Sequence, residues 1–367
     1  MILWGALMVV AALLVQDLLL VYFFYRRFKS YDQSPLTKED LPTVSILVPA
    51  RNEENVLPVC LKGLSGLDYP EEKLQVIVAD DHSDDQTGRI LNEWVGESPN
   101  RLKVEIAGKY PHLNGKANAL AQMAHEASGE FLLFTDADCE VNPQWVQAMV
   151  KAFSPRAGLV VGLTSVRRVG LFGKLQGQDW WLTLGMIKVS SDLGNLLTAV
   201  GNNMLINHKA YRRVGGFEGL PFSVTEDFMM GKAMKTAGFY PVFQYSKESQ
   251  LLTKSETGLV SLLEQRKRWM KGARSLPWYW QALLVFQVLF FPMVISILFY
   301  APLLGAGLWM CKLVFQVIFV RGLAKKVDIY IPLWELFIFE VYYLVISWST
   351  IVCYFWPSKI NWKERKY

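Results

Sequence analysis

Three groups of acidic side chains, each placed where a structural run changes, carry the chemistry this sequence can support. Asp80 and Asp81 follow the apolar run Gln75–Ala79, Asp136 and Asp138 follow Phe131–Thr135, and Glu226 and Asp227 precede the helix-like stretch Phe228–Ala237. Two carboxylates at one strand end can hold a hard divalent cation such as Mg2+ or Mn2+, which completes its shell with water and with the phosphates of a substrate. Asp227 has the chemistry of a general base for a hydroxyl. Cation and base together suit transfer of a group from a diphosphate. An Asp-x-Asp triplet alone is weak, since 14 Asp in this chain would give about 0.5 by chance. Placement behind an apolar strand is what gives Asp136 and Asp138 weight. Acids at Asp80 to Asp85 also suit a helix N-terminus, although that does not explain two adjacent acids closing a strand.

A fourth group is basic: Gln265-Arg266-Lys267-Arg268-Trp269. Gln-x-x-Arg-Trp arises by accident about 0.02 times in such a composition, so it is the most specific single signal. An Arg guanidinium matches phosphate oxygens two at a time, and a Trp ring offers a face on which a sugar can stack. A basic helix beside a membrane, gripping anionic lipid, accounts for the same residues more plainly.

Positioning these groups requires a sheet. Apolar runs at Val44–Pro49, Gln75–Ala79, Leu102–Ile106, Phe131–Thr135 and Leu159–Leu163 alternate with helix-like segments near Val56–Leu64, Thr87–Val95, Lys116–Ala127 and Gln144–Ala152. Strand and helix in alternation predict an α/β domain, about residues 42–275, with a mainly parallel sheet covered on both faces. Ligands of such sheets bind at the carboxyl ends of the strands. Asp81 and Asp138 therefore share an edge although far apart in sequence.

The rest of the chain is apolar. Its 367 residues are 52% hydrophobic and 19% charged, against roughly 25% charged in ordinary soluble domains. Ile2 to Tyr25 carries only Gln16 and Asp17 as strongly polar groups and predicts a transmembrane helix, residues 1–25. The basic block after it (Arg26, Arg27, Lys29) favours a span over a cleaved leader, with the central domain in the cytoplasm. Residues 279–356 predict about three further spans, which contain only Lys312, Glu335 and Glu340 as charges, with Arg321, Lys325 and Lys326 in a cytoplasmic loop before the last. Three spans send the basic tail (Lys359, Lys363, Arg365, Lys366) outside, against the positive-inside rule, unless one segment is re-entrant. The four cysteines and four histidines show no metal-ligand spacing. Cys139 reads as a small buried residue, and a net charge of +5 calls for no nucleic acid.

The order Asp81, Asp136-x-Asp138, Glu226-Asp227, Gln265-x-x-Arg268-Trp269 resembles the signature of membrane-bound family 2 glycosyltransferases, the group of cellulose, hyaluronan, chitin and poly-N-acetylglucosamine synthases and of ceramide glucosyltransferase. Pro49-Ala50-Arg51-Asn52-Glu53 and Gly115-Lys116-Ala117-x-Ala119-Leu120 are similar to that family too. The resemblance implies a GT-A fold, a UDP-sugar donor, Mg2+ or Mn2+, and a saccharide or lipid acceptor. It places Pro49, Ala50, Arg51, Glu53 and Asp81 at the uracil, with Asp80 among the donor-binding residues and Lys116 near the nucleotide or its phosphates. Asp136 would face the ribose and metal, Asp138 would ligate the metal, and Asp227 beside Glu226 would be the base. Gln265, Arg268 and Trp269 would border the acceptor and leaving diphosphate, with Gly201 and Asn202 in an acceptor-side loop. The expected protein is an integral membrane enzyme of the inner (plasma) membrane that inverts at the anomeric carbon, alone or with partner subunits. Two alternatives stand beside it: a nucleotidyl or phosphoryl transferase, which leaves Gln-x-x-Arg-Trp unexplained, and a non-enzymatic scaffold or transporter. Within the enzyme class, single transfer to a lipid stands against a processive polymerase.

Overall fold

A computed structural model of the chain describes residues 2–31, 37, 39–359, 361–363, 365 and 366. Helix α1 (Ile2–Arg27) leads into β1 (Val44–Ala50), α2 (Leu57–Ser65), β2 (Leu74–Asp80), α3 (Thr87–Val95) and β3 (Arg101–Glu105). Then come α4 (Gly115–His125), β4 (Phe131–Thr135), α5 (Trp145–Lys151), β5 (Leu159–Val161), β6 (Thr164–Val166) and α6 (Gly170–Asp192). β7 (Asn203–Asn207), α7 (His208–Arg213), α8 (Glu226–Thr236), β8 (Val242–Phe243), β9 (Leu251–Thr253) and α9 (Leu259–Ala273) complete the domain. The apolar end holds α10 (Trp278–Val288), α11 (Phe290–Tyr300), α12 (Pro302–Lys325) and α13 (Leu333–Phe355), followed by a hairpin of β10 (Asn361–Trp362) and β11 (Arg365–Lys366).

The central sheet runs β3-β2-β1-β4-β7-β5-β8. β3, β2, β1 and β4 are mutually parallel, whereas β7 is antiparallel to both its neighbours. The mainly parallel sheet read from the sequence is therefore present, with one reversed strand. The expected run Leu159–Leu163 breaks at Gly162, where any side chain would overlap Asn203, and continues as β6, which pairs with β9 in a separate small sheet. Along β1 and β4, Leu47, Leu132 and Phe134 face one apolar cluster while Ile46, Val48 and Leu133 face another. Burial on both faces is why these strands read as unbroken apolar runs, and each such side chain contributes about 1.5–3 kcal/mol. The chain goes from β1 outward to β2 and β3, then returns to the other side of β1 as β4. That reversal opens a crevice between the ends of β1 and β4, the usual place for a ligand.

Four helical segments are long and apolar enough to cross a membrane: Ile2–Arg27, Trp278–Tyr300 (α10 and α11 together), Pro302–Lys325 and Leu333–Phe355. Lys312, Glu335 and Glu340 within them are paired. Lys312 donates to Glu340 at 2.5 Å and to Gln316 at 2.6 Å. Glu335 instead meets Arg168 and Lys174, both at the start of α6. Removing one member of such a buried pair costs about 3–5 kcal/mol, because the other charge is left uncompensated.

Candidate active site

A single cavity of about 1860 Å3 lies at the carboxyl edge of the sheet. Sheet direction explains who lines it. The chain leaves β1 as Arg51 and Glu53, β2 as Asp81, and β4 as Asp136 and Asp138, all on one edge. Because β7 is antiparallel to β4, with Thr135 opposite Asn203, its preceding residues Gly201 and Asn202 arrive at that same edge. The parallel pair β6–β9 brings Thr253 and Lys254 beside Asp138. Of the residues expected from the sequence, Pro49, Ala50, Arg51, Glu53, Asp81, Lys116, Asp136, Asp138, Gly201, Asn202, Glu226, Asp227, Gln265, Arg268 and Trp269 all face this cavity.

Asp80 does not line it. Its carboxylate accepts the Ser83 N–H at 3.0 Å and packs over Gly88 at the start of α3, so it shapes the turn, together with His82 in the left-handed region at φ 59°. The neighbouring acids thus divide: Asp80 shapes the turn and Asp81 faces the cavity.

The carboxylates hold their positions through distinct partners. Lys116, in the first turn of α4, stands 2.5 Å from Asp136 and 3.6 Å from Glu226. Burial works against its charge, but those two acids more than offset it and hold the ammonium above the usual lysine range. Asn114 caps α4 by accepting from Ala117 and donates to Glu226 at 3.1 Å, tying α4 to α8. Glu226 thereby looks toward Lys116, while Asp227 accepts from the Gly201 N–H at 2.8 Å and from the Phe228 N–H at 2.8 Å. Burial first, then Glu226, pushes the Asp227 carboxyl above the ordinary aspartate range, with Lys116 opposing. Asp138 is raised as well, by burial and then by Asp136. Cys139 and Cys60 are fully buried behind it, and burial first of all raises the Cys139 thiol, so it is no nucleophile.

On α9, Gln265, Arg268 and Trp269 fall on one face, as their three- and four-residue spacing requires. Gln265 donates to Glu256 at 3.1 Å. Arg266 also borders the cavity, paired with the buried Asp179 of α6, whereas Lys267 turns away and donates to residues beyond α13. The Trp269 ring, expected to be open for stacking, has the Arg266 guanidinium 4.8 Å from its centre and the Trp180 ring edge-on at 5.3 Å. Its first structural task is to join α9 to α6.

Two residues of the basic tail enter the chamber, which nothing in the sequence foretold. Lys363 pairs with Glu53 and donates to the Arg51 carbonyl at 3.2 Å, and Arg365 grips Asp81 at 2.5 and 2.9 Å. No motif marked them, since tail lysines and arginines are ordinary; only their distance-independent placement in the cavity does. Lys254 was missed for the same reason; it lies 2.8 Å from Glu53.

The cavity has two characters. Its charged chamber opens into an apolar cleft walled by Leu184 of α6, Leu284 and Val288 of α10, and Ile346, Ile351 and Tyr354 of α13.

The sequence profile of glycosyl transferase family 21 matches residues 6–367. The chain belongs to that family. The matched span takes in the acidic chamber, α9 and the tail hairpin alike. A beta-monoglucosyldiacylglycerol synthase from Nostoc sp. is 28% identical over 284 residues, 73% of this chain and 56% of that protein. A poly-beta-1,6-N-acetyl-D-glucosamine synthase from Staphylococcus epidermidis is 26% identical over 262 residues, 69% of this chain and 60% of that protein. The chain thus spans little more than half the length of these curated relatives. A mannosyltransferase from Pyrobaculum calidifontis, solved with GDP-Man and Mn2+, shares the fold: TM-score 0.63, 18% identity, 97% of this chain and 99% of that one. The resemblance to family 2-type glycosyltransferases of GT-A fold, ceramide glucosyltransferase among them, stands.

Proposed function

We propose that this family 21 member moves a hexosyl unit from a UDP-sugar to the hydroxyl of a membrane lipid, one sugar per acceptor, with inversion at the anomeric carbon. One observation carries the choice of acceptor: the charged chamber and the apolar cleft are a single cavity, so a hydroxyl on a lipid held in the cleft reaches Asp227. Its volume exceeds the roughly 300–1,000 Å3 of a site for one small ligand and accommodates a nucleotide sugar together with part of a lipid. The Nostoc relative, named for a glucosyldiacylglycerol product, agrees with this reading.

The residues divide the work. Asp227 takes the acceptor proton as the new C–O bond forms and the bond to the diphosphate breaks, a contribution of typically 10²–10⁴-fold. Its raised pKa brings its basicity nearer to the working pH. Arg268 and Lys116 stabilise the charge that develops on the leaving diphosphate. Asp138 and Asp136 suit Mg2+ or Mn2+ as a pair: Asp138 is buried beside another acid, an arrangement that a cation relieves. Two protein carboxylates suffice for a cation whose shell is completed by water and a substrate diphosphate. When bound, such a cation neutralises charge on the leaving group. The catalytic domain would sit on the cytoplasmic face, where basic flanks of the apolar helices belong.

The test is to incubate membranes carrying the protein with labelled UDP-glucose, UDP-galactose, UDP-N-acetylglucosamine and GDP-mannose. Label in the organic lipid extract supports the proposal. Label confined to high-mass polymer replaces lipid by saccharide as acceptor, and release of no nucleotide from any donor rejects sugar transfer altogether.

A further inference from the structure

We infer that α13 does not cross the membrane but lies along its surface on the side of the catalytic domain, with one face in the bilayer. The helix has 23 residues, or about 34 Å at 1.5 Å per residue, long enough to span. Its ends say otherwise. The loop that enters it is held by Asp328, 3.1 Å from Lys247 of the catalytic domain. In its first turn Glu335, 1% exposed, is gripped by Arg168 and Lys174. At the far end the buried Lys267 of α9 donates to the Trp356 carbonyl at 2.9 Å, and to the Ser358 carbonyl at 3.0 Å and hydroxyl at 2.7 Å. Beyond that point Lys363 and Arg365 enter the chamber itself.

A crossing helix separates its two ends by a hydrocarbon core of about 30 Å. One domain on one side of a bilayer cannot hold both. Between the two anchors, Phe339, Tyr342 and Ile346 pack on Leu175 of α6 and Leu262 of α9, so the domain follows the helix along its length.

The opposite face names the partner. Phe337, Val341, Val345 and Val352 are 51–64% exposed and recur four or seven residues apart, which makes one continuous apolar stripe. The crossing helices α11 and α12 are apolar on their exposed faces as well, Phe299 being 82% and Leu303 91% exposed. Hydrocarbon at the headgroup boundary fits such a face, as it does for helices that lie in the plane of a membrane. The charge pattern agrees. With α13 in plane, Arg26, Arg27, Lys325, Lys326, Lys359 and Lys363 all fall on one side, and the conflict between three C-terminal spans and the positive-inside rule disappears.

Sidedness is measurable whether or not the protein transfers sugar. Single cysteines replace Asp84 in the catalytic domain, Tyr330 before α13 and Lys359 after it, in a C311S/C353S background, all three being exposed positions. Sealed vesicles of either orientation are treated with a membrane-impermeant maleimide. We expect D84C, Y330C and K359C to be labelled in the same vesicles and protected in the same vesicles. Labelling of Y330C or K359C from the face opposite to D84C overturns the inference. P357C repeats the measurement at a second exposed position if K359C fails to accumulate.

Discussion

Arg365 and Asp81 are 284 residues apart in the chain and form a two-point ion pair, Nη1 to Oδ2 at 2.5 Å and Nη2 to Oδ1 at 2.9 Å. The fork of a guanidinium matches the two carboxylate oxygens, the strongest form such a contact takes. A methyl group at Gly115 would overlap that guanidinium, so the first residue of α4 makes room for it. Both oxygens of Asp81 are therefore committed before any nucleobase arrives. If Asp81 reads a uracil, the base must displace Arg365. Arg365→Gln is then expected to tighten binding of uridine, which lacks phosphates, by about tenfold, the equivalent of 1.4 kcal/mol. Ligand-observed NMR titration measures this; unchanged or weaker uridine binding shows that tail and base do not compete.

Asp227→Asn keeps the shape and removes the base. Transfer should fall about 10²–10⁴-fold with UDP binding preserved, and a rate near wild type removes Asp227 from its proposed role. Asp138→Asn, by contrast, should weaken UDP binding in the presence of Mn2+ while leaving binding without metal unchanged. Calorimetry with and without Mn2+ separates the two effects.

The pH profile follows from the same burial. Because burial and Glu226 raise the Asp227 carboxyl, it remains protonated to higher pH than an ordinary aspartate. As pH falls through that raised value the base is lost. The acid limb of kcat/KM is therefore expected above the usual aspartate range near 3.9. An acid limb at or below the ordinary value contradicts a base in this environment. Asp227→Asn should abolish the limb along with most of the activity.

The apolar cleft can be filled without touching the chamber. Leu284 of α10 lines the cleft and is 41% exposed, so a larger side chain has room to enter without breaking the core. Leu284→Trp should raise KM for the lipid acceptor several-fold with the UDP dissociation constant unchanged. Equal losses for donor and acceptor would place the lipid elsewhere.

The sequence by itself determined the elements and the acids at their ends. Strands buried on both faces need unbroken apolar runs, so β1, β2 and β4 were legible to within a residue or two, and parallel topology then fixed which edge Asp81, Asp136 and Asp138 share. The apolar zones at both ends were legible by length alone. What the tertiary structure decided is which of two equivalent residues does what. Asp80 and Asp81 are the same side chain in adjacent positions; the pleat turned one under α3 and the other into the cavity. Glu335 and Glu340 are five residues apart, yet one pairs with Arg168 and Lys174 and the other with Lys312. The fate of α13 and of the tail was decided the same way. Apolar length is identical for a helix that crosses a bilayer and one that lies on it; contacts made by Arg168, Lys174, Lys247 and Lys267, distant in sequence, hold its two ends to one domain.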